Sequence, residues 1–405
     1  MNPELINCDV LVAGGGSAGL AAAIAAARKG AAVVLLEKNS FMGGKATAAY
    51  VGTVCGLYYC NKKEISTYVS DGFAFEFAEK LKAKSATSPI FNKQGLHFLP
   101  YQPFDFKLLC DELIHSEKIK VFFQSVVSDV EKQNAKIVSV SAVSYDRIIK
   151  IQPKAVIDCT GEALLSLMSG ASVIESEEYQ TPAQVFSMEG VEVQSEANLS
   201  LIILKEFQKA ISEGILSEDY SGVSVVPGSL NGKRVFLKIG IPVKIKNEVN
   251  EITSVEFTAR KMVTTVSQFL KEKTEAFKNA HIGDVASEVG VRTGRRHKGK
   301  YILTKEDVLT CKKSVDSAGR GAWPIEFWEF GKRVKMDFFE FDNYYDIPKD
   351  CLISSDIKNL FFAGRNISAT EEAIASARVI GTCLQTGYSA GEMAVEMISF
   401  NKKNG

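Results

Sequence analysis

Residues 9–38 read DVLVAGGGSAGLAAAIAAARKGAAVVLLEK, and this stretch decides the fold of the chain. A short apolar run leads into three glycines with GxGxxG spacing, an alanine-rich segment follows, and a second apolar run ends on an acid. Strand, tight turn, helix and strand in this order form the unit that binds a dinucleotide at the edge of a parallel sheet. The sequence therefore predicts an α/β fold with a Rossmann-like βαβ unit at its start.

Each glycine of the motif has its own physical role. Gly14 permits the tight turn, Gly16 lets a pyrophosphate approach the backbone, and Gly19 lets the helix pack closely on the strand. The N terminus of the helix adds free N–H groups and the positive end of a dipole. A glycine-rich turn without a ligand is the alternative, but the surrounding strand and helix pattern favours a nucleotide site.

Glu37 ends the second apolar run, at the distance beyond Gly19 where a carboxylate accepts hydrogen bonds from ribose hydroxyls. The same carboxylate would repel a 2′-phosphate, which disfavours NADP. NAD and FAD use the same element, so the motif alone leaves both open.

Composition excludes several classes of partner. Lys and Arg number 48 and Asp and Glu number 48, so no net charge attracts nucleic acid or an anionic membrane. The N terminus lacks the basic region of a signal peptide, and Arg28 and Lys29 interrupt the apolar run that follows it. Eight scattered cysteines fit buried thiols in a reducing compartment. We expect a cytoplasmic protein that binds neither nucleic acid nor membrane.

A chain of 405 residues exceeds what one core usually supports, so we expect two domains. The segment VFLKIGIPVKIK alternates like antiparallel strands, and residues 255–280 carry apolar side chains on one face of a helix. We predict a discontinuous nucleotide-binding domain and an inserted α+β substrate or cap domain. The first comprises residues 1–60, 101–171 and 345–405, and the second comprises residues 61–100 and 172–344.

Several further segments carry a family resemblance: MGGKAT, VIDCTGEALL, VGVRTGRRHKGKYILTKEDV, GRGAWPIEFW and NLFFAGRNISATEEAIASARVIGTC. With the first motif, their order and spacing resemble the FAD-dependent oxidoreductase family. This family has a glutathione-reductase-type Rossmann domain and is distantly similar to succinate dehydrogenase and fumarate reductase flavoproteins. The similarity covers nearly the whole chain.

The resemblance implies that FAD is the cofactor and lies along the N-terminal domain. It implies contacts with the pyrophosphate, the adenosine ribose, the ribityl chain and the pyrimidine end of the flavin. The residues implied in these contacts are Gly14, Gly16, Ser17, Ala18, Gly19, Glu37, Lys38, Gly43, Gly44, Lys45, Thr160, Gly161, Gly364, Arg365, Arg378, Gly381 and Thr382. A helix that begins near Gly381 would stabilise the negative charge of the reduced flavin. Arg365 stands where many flavoproteins have Asp, so a carboxylate contact with the ribityl chain is not implied.

RTGRRHKGKY is the densest group of candidate catalytic residues. Arginines can hold an acid, and a nearby His or Tyr can move a proton during hydride transfer between flavin N5 and a small organic substrate. We predict catalytic roles for Arg295, Arg296, His297 and Tyr301, with Arg292 in the same group. The alternative is a hinge whose arginines bind the flavin, other loops or solvent.

Trp323 and Glu326 either contact substrate or pack the second domain.

Cys55 and Cys60 have CxxxxC spacing, as in the redox pair of disulfide reductases. Cys55 follows Gly44 at a greater distance in the sequence than the first cysteine of that pair does, so two structural thiols are the favoured interpretation. The histidines lack ligand spacing, so no metal is expected.

Two other functions stay open at this point. One is an NAD-dependent dehydrogenase, and the other is a flavin-bearing binding or structural protein without catalysis. No second GxGxxG is present, so we expect no dedicated NAD(P)H domain, and electrons would reach or leave the flavin through a shared site or a partner. The identity of the electron donor or acceptor is unknown.

Overall fold

The computed structural model describes residues 4–176, 180–243, 245, 249–329 and 334–404. Its strands, in chain order, are β1 (Glu4–Ala13), β2 (Val33–Leu36), β3 (Thr53–Val54), β4 (Ile90–Phe91), β5 (His97–Pro100), β6 (Lys120–Phe122), β7 (Val126–Gln133), β8 (Lys136–Ser144), β9 (Arg147–Asp158), β10 (Val173–Ile174), β11 (Ala183–Glu189), β12 (Ser224–Val225), β13 (Arg234–Gly240), β14 (His281–Val285), β15 (Arg296–His297), β16 (Ser317–Gly321), β17 (Ile325–Phe327), β18 (Lys335–Asp337), β19 (Tyr345–Pro348) and β20 (Leu360–Phe362).

The α-helices are α1 (Ser17–Arg28), α2 (Lys45–Ala48), α3 (Phe73–Ser85), α4 (Pro103–Ser116), α5 (Leu164–Ser169), α6 (Glu196–Ser212), α7 (Val249–Lys273), α8 (Lys305–Leu309), α9 (Glu371–Ala377) and α10 (Ile380–Asn404). Short 3₁₀ turns cover Glu218–Tyr220, Glu275–Phe277 and Lys349–Leu352.

The predicted α/β architecture is confirmed. The main sheet has the strand order β6, β2, β1, β9, β8, β7, and β20 also pairs with β9. The pairs β1 with β2, β1 with β9, β2 with β6 and β9 with β20 are parallel, whereas β7, β8 and β9 form an antiparallel meander. β9 is long enough to pair with β8 near its start and with β20 at its end.

Four parallel strands end at the same edge of this sheet. Ala13 at the end of β1 is in register with Leu36 of β2 and Asp158 of β9, and Phe362 of β20 is also in register with Asp158. The segments that follow these strands therefore lie together, at the carboxyl edge where α/β sheets bind their ligands.

Alternate residues of β1 enter two different cores. Val10 and Val12 pack with the alanines of α1 on one face of the sheet, whereas Leu11 and Ala13 pack on the other. A strand that is buried on both faces reads as a continuous apolar run, as the sequence does here.

Small residues bring α10 close to α1. A Cβ atom on Gly387 would lie 2.1 Å from the Ala18 carbonyl oxygen, and one on Gly391 would lie 2.3 Å from that of Ala22. Helix α10 therefore packs along α1 with almost no side-chain volume between the backbones.

The inserted region has its own antiparallel sheet, with the strand order β12, β13, β11, β14. Helices α6 and α7 cover it, and the predicted apolar face of α7 is buried from Val255 to Leu270. The helix ends at Lys273, earlier than predicted, because the Thr274 hydroxyl accepts a hydrogen bond from the Phe277 amide and begins a 3₁₀ turn.

The domain boundaries stay a prediction. Among the described helices, none combines the length and apolarity that a membrane crossing needs.

Candidate functional site

The glycine motif forms a tight cradle between β1 and α1. Gly14 has a φ of 98°, and a Cβ atom there would lie 2.5 Å from the Cys159 carbonyl oxygen at the end of β9. A Cβ atom on Gly19 would lie 1.8 Å from the Gly14 carbonyl oxygen. Gly16 precedes α1, whose first residues, Ser17 and Ala18, are buried. The first turn of α1 thus points its amide groups toward the carboxyl edge of the sheet.

A second glycine pair lies against the first loop. Gly43 has a φ of 104° and donates its N–H to the Gly15 carbonyl oxygen at 2.8 Å. Gly44 has a φ of 55°, and a Cβ atom there would lie 2.9 Å from the Gly16 Cα. Two backbone segments without side chains therefore lie side by side, as a bound pyrophosphate requires.

Glu37 is a buried carboxylate directly after β2. Its Oε2 accepts a hydrogen bond from the Gly15 amide at 2.7 Å, and its Oε1 accepts one from the Asn39 amide at 2.8 Å. Burial raises the pKa of Glu37 and outweighs these two bonds, which favour the charged form. The carboxylate is fixed beside the glycine loop, where the sequence motif predicts the ribose contact.

Glu288 links the inserted region to the loop after β2. Its carboxylate lies 2.6 Å from Lys45 Nζ and 3.0 Å from Lys38 Nζ, and it accepts a hydrogen bond from the Asn39 amide side chain at 3.1 Å. Lys45 also donates to the Val289 carbonyl oxygen at 3.1 Å. Burial opposes ionisation of Glu288, but the two lysines outweigh it and lower its pKa to about 2.

The segment after β9 is held by a buried aspartate. Asp158 Oδ1 accepts hydrogen bonds from the Thr160 amide at 2.9 Å and the Thr160 hydroxyl at 2.7 Å. Gly161 has a φ of 79° and packs against Arg365, because a Cβ atom there would lie 2.5 Å from the guanidinium. Arg365 donates to the Val291 carbonyl oxygen at 3.1 Å and to Glu162 at 3.3 Å.

The segment after β20 also reaches the cradle. Gly364 has a φ of 90°, and a Cβ atom there would lie 2.9 Å from the Ala18 Cβ. The predicted cofactor residues from the ends of β1, β2, β9 and β20 are thus brought together.

The start of α10 packs on the loop that follows β3. The Gly381 amide donates to the Cys55 carbonyl oxygen at 2.9 Å, and a Cβ atom on Gly381 would lie 2.7 Å from the Gly56 carbonyl carbon. The Thr382 hydroxyl is buried without a hydrogen-bond partner. An unsatisfied hydroxyl at a helix N terminus, beside a glycine-lined backbone, is a site that a polar ligand can complete.

His297 lies at the centre of a closed buried network. Its Nε2 is 3.2 Å from Asp158 Oδ2, and its Nδ1 is 2.6 Å from the Ser166 hydroxyl. The Asn366 side-chain amide lies 3.2 Å from Nε2, and the ring stacks on Phe362 at 4.1 Å. His297 is fully buried, so the structure joins it to the sheet edge through Asp158 and gives it no contact with solvent.

The other three predicted catalytic residues do not meet around one point. Arg296 is buried and donates to the Ala369 carbonyl oxygen at 2.8 Å and the Ser176 hydroxyl at 2.7 Å. Arg295 pairs with Glu175 at 2.7 Å. The Tyr301 hydroxyl donates to Asp307 at 2.8 Å and accepts from Lys312 at 2.8 Å. Their catalytic roles stay a prediction.

A different group of charged side chains converges near α10. We call Lys238, Arg292, Arg378, Gln180 and Trp328 the cationic cluster. Lys238 Nζ and the Arg292 guanidinium lie 4.6 Å and 4.4 Å from the centre of the Trp328 ring. Arg378 donates to the Gln180 side-chain oxygen at 3.2 Å.

Electrostatics couple this cluster to the loop under α10. Burial, reinforced by the charge of Arg292, lowers the pKa of Lys238 to about 8. Burial also raises the pKa of Cys55 to about 12, and the charges of Glu326, Lys238 and Arg378 all act on that thiol. The cationic cluster therefore lies close to the segment against which α10 begins.

Trp323 and Glu326 contact each other. The Trp323 indole N–H donates to Glu326 Oε2 at 3.1 Å, and Arg378 donates to the Glu326 carbonyl oxygen at 3.3 Å. Trp323 is buried in an apolar cluster with Cys60 and Phe98, which gives it a packing role, whereas Glu326 faces the charged groups.

Cys55 and Cys60 are free thiols. Burial raises the pKa of Cys60 as well, to about 12, which disfavours a reactive thiolate. No group of three or more potential metal-ligating side chains occurs among the described residues.

These features define an α/β protein whose glycine-rich loops lie together at the carboxyl edge of the parallel strands of its main sheet, where folds of this class bind their ligands. The sequence profile described as FAD dependent oxidoreductase matches residues 9–403, so the chain belongs to the FAD-dependent oxidoreductase family. The protein is an enzyme, and FAD is its cofactor. The glycine cradle and the unpartnered Thr382 hydroxyl fit this cofactor, and the NAD-dependent alternative is set aside.

Solved structures share the fold at low sequence identity. The flavin-dependent brominase Bmp2 aligns with 97% of this chain and 80% of its own at 15% identity and a TM-score of 0.50. The anhydrotetracycline hydroxylase OxyS from Streptomyces rimosus aligns with 98% of this chain and 65% of its own at 11% identity and a TM-score of 0.50. No curated protein matches the chain.

Sequence reasoning missed several residues of the site. The sequence pattern could have indicated Lys238, because it is the charged residue inside the apolar strand pattern VFLKIGI. No local pattern indicates Glu288 or Gln180, because an isolated polar residue in a loop region interrupts no regular hydrophobic pattern. Their importance comes from partners that are distant in the sequence.

Proposed function

We propose that this enzyme transfers a hydride between flavin N5 and a small organic substrate held between the main sheet and the inserted sheet. FAD supplies a reversible two-electron acceptor when bound. The protein supplies the cradle for the cofactor, the charged groups that orient the substrate, and the burial that limits access of water.

The observation that carries this proposal is the convergence of charged side chains from different parts of the fold. Lys238 comes from the inserted sheet, Arg292 from the segment after β14, and Arg378 from the turn between α9 and α10. A protein that used FAD only to stabilise its fold would have no need to bury these charges beside the cofactor domain, because charge burial is costly. Orientation of a substrate for catalysis would account for these charges.

The cofactor contacts of the proposal follow the geometry of the carboxyl edge. The two glycine loops and Glu37 would hold the pyrophosphate and ribose, while Gly364, Arg365 and the start of α10 would hold the flavin end. Arg295, Arg296, His297 and Tyr301 remain candidates for catalysis. The electron donor or acceptor must be a second small molecule or a partner protein that uses the same site.

The test is anaerobic mixing of the purified holoenzyme with organic alcohols, amines and acids, each carrying deuterium at the carbon to be oxidised. Hydride transfer predicts loss of the oxidised flavin bands without any other reductant, slowed by a primary isotope effect. In a parallel aerobic incubation under labelled O₂, incorporation of the label into the product would contradict the proposal and indicate an oxygenase.

A further inference from the structure

The cationic cluster contains three positive charges that have no paired carboxylate in the part of the chain that the structure describes. Lys238 and Arg292 lie over the Trp328 ring, and Arg378 is bonded to the Gln180 and Glu326 oxygens. Within residues 4–176, 180–243, 245, 249–329 and 334–404, no carboxylate oxygen lies within 4.0 Å of their nitrogens. Glu326 is the acid whose charge acts on all three, and its Oε2 is bonded to the Trp323 indole.

Such an arrangement costs free energy in the unliganded protein. Burial removes water from each cation, and the like charges repel one another. Burial and the charge of Arg378 lower the pKa of Arg292 from its usual range, although an arginine remains protonated at neutral pH. An anion that entered the cluster would remove both penalties.

Unused hydrogen-bonding groups occur on residues of the cluster and on the residue next to Gln180. The Arg378 Nε and the Gln180 Nε2 are buried and have no partner, and each is a donor. The Thr181 hydroxyl, next to Gln180 in the chain, is also buried without a partner, and the Thr181 carbonyl oxygen already accepts a hydrogen bond from Arg292. Unsatisfied buried donors call for a ligand rich in acceptors.

We propose that the cationic cluster binds a carboxylate group of the substrate, so that the enzyme acts on organic acids. This inference rests on the proposed function, whose substrate class it specifies. Two guanidinium groups match the planar, two-oxygen geometry of a carboxylate, and the Lys238 ammonium adds a third positive charge over the Trp328 ring on which Arg292 also lies. The charges would fix which substrate carbon faces the flavin.

The experiment titrates the holoenzyme with acetate, butanoate, hexanoate, succinate and benzoate, with their amides, and with inorganic phosphate. Binding is followed by Trp fluorescence and by perturbation of the flavin spectrum, neither of which requires turnover. The variants are Arg292→Met and Lys238→Met, with Arg260→Met and Lys233→Met as matched controls. The controls lie in the same inserted region, and their side chains are 56% and 68% exposed.

The expected result is that at least one carboxylate binds and its amide binds at least roughly 30-fold more weakly. Arg292→Met and Lys238→Met should weaken carboxylate binding by a similar factor, while the two controls leave it unchanged. Flavin content and thermal unfolding identify any variant that fails to fold, and the comparison of acids with amides in the unaltered enzyme does not depend on the variants.

Three binding results would overturn the inference: equal binding of acids and amides, a preference for phosphate over every carboxylate, or no carboxylate binding below roughly 10 mM. Flavin bleaching by a neutral substrate, unaffected by Arg292→Met, would overturn it while leaving hydride transfer intact. Carboxylate binding without flavin reduction by any acid would uphold the site and count against the proposed function instead.

Discussion

Lys45 and Glu288 form an ion pair of 2.6 Å that joins the loop beside the glycine cradle to the inserted region. The two residues are far apart in the sequence, and neither local segment predicts the ion pair. The pair fixes the inserted region against the cofactor site, and Lys38 and Asn39 extend it.

Glu288→Gln should lower the free energy of unfolding by about 2 kcal/mol at neutral pH, because it leaves the half-buried Lys45 without a counterion. The pKa of Glu288 is about 2 in the folded protein, below the ordinary value of 4.5. Its stabilisation is therefore complete above about pH 4.5 and is lost as the pH falls toward 2. Urea unfolding of the holoenzyme at a series of pH values measures both effects, and Glu275→Gln, at an exposed acid, is the control. A constant difference between the two proteins from pH 6 down to 3 would contradict the assignment.

Lys238 should impose a pH dependence on carboxylate binding. The cationic form attracts the acid, and burial lowers the pKa of this lysine to about 8, with Arg292, Glu326 and Arg378 as its charged neighbours and the neutral Cys55 thiol among its other titratable neighbours. Affinity should thus be high below pH 8 and decrease as the pH rises through that value. Lys238→Arg should remove the decrease, since an arginine stays protonated. The same decrease in the arginine variant would assign it to another group.

Gly19→Ala should abolish FAD retention, because its Cβ atom would lie 1.8 Å from the Gly14 carbonyl oxygen and force α1 away from the turn. Gly222→Ala is the matched control, because a Cβ atom at that position meets no atom within 4 Å. The ratio of flavin to protein absorbance after gel filtration measures the effect. Normal flavin content in Gly19→Ala would show that the cradle does not hold the pyrophosphate.

Thr382 and Thr386 lie one turn apart on α10 and should respond differently to replacement by valine. The Thr382 hydroxyl is buried without a partner, so Thr382→Val should weaken FAD binding and leave the stability of the apoprotein nearly unchanged. The Thr386 hydroxyl donates to the Thr382 carbonyl oxygen at 3.1 Å, so Thr386→Val should cost about 1 kcal/mol of stability and spare FAD affinity. Flavin fluorescence titration and urea unfolding separate the two effects, and identical behaviour of the variants would refute the assignment.

His297→Gln should act mainly on the fold. The side chain is fully buried between Asp158, Ser166 and Asn366, and its loss leaves the Asp158 carboxylate underpaired, at a cost of about 3 kcal/mol. Burial opposes ionisation of Asp158, but His297 and Thr160 outweigh it and lower its pKa, so the carboxylate is charged. His281→Gln, at an exposed histidine, is the control. Unchanged stability with a reduced kcat would instead support the catalytic role predicted from the sequence.

The sequence by itself determined the parts of this protein that depend on local periodicity and backbone freedom. Apolar runs fixed β1 and β2, glycine spacing fixed the turn before α1, and one apolar face fixed α7. The strand and helix pattern predicted a cofactor role for Gly14, whereas the roles predicted for Gly43 and Gly364 came from the family resemblance. The structure brings all three glycines together because parallel strands end at one edge of a sheet.

The tertiary structure decided which charged residues meet. Arg295, Arg296, His297 and Tyr301 are neighbours in the sequence, yet their side chains point to separate partners, because successive residues of an extended segment face different ways. Lys238, Arg292 and Arg378 are distant in the sequence. Lys238 and Arg292 nevertheless lie over the Trp328 ring, and Arg378 bonds to the Gln180 side-chain oxygen that also accepts the Trp328 amide. Sequence patterns report short-range geometry, whereas the position of a charge among its neighbours depends on contacts between elements that no local pattern encodes.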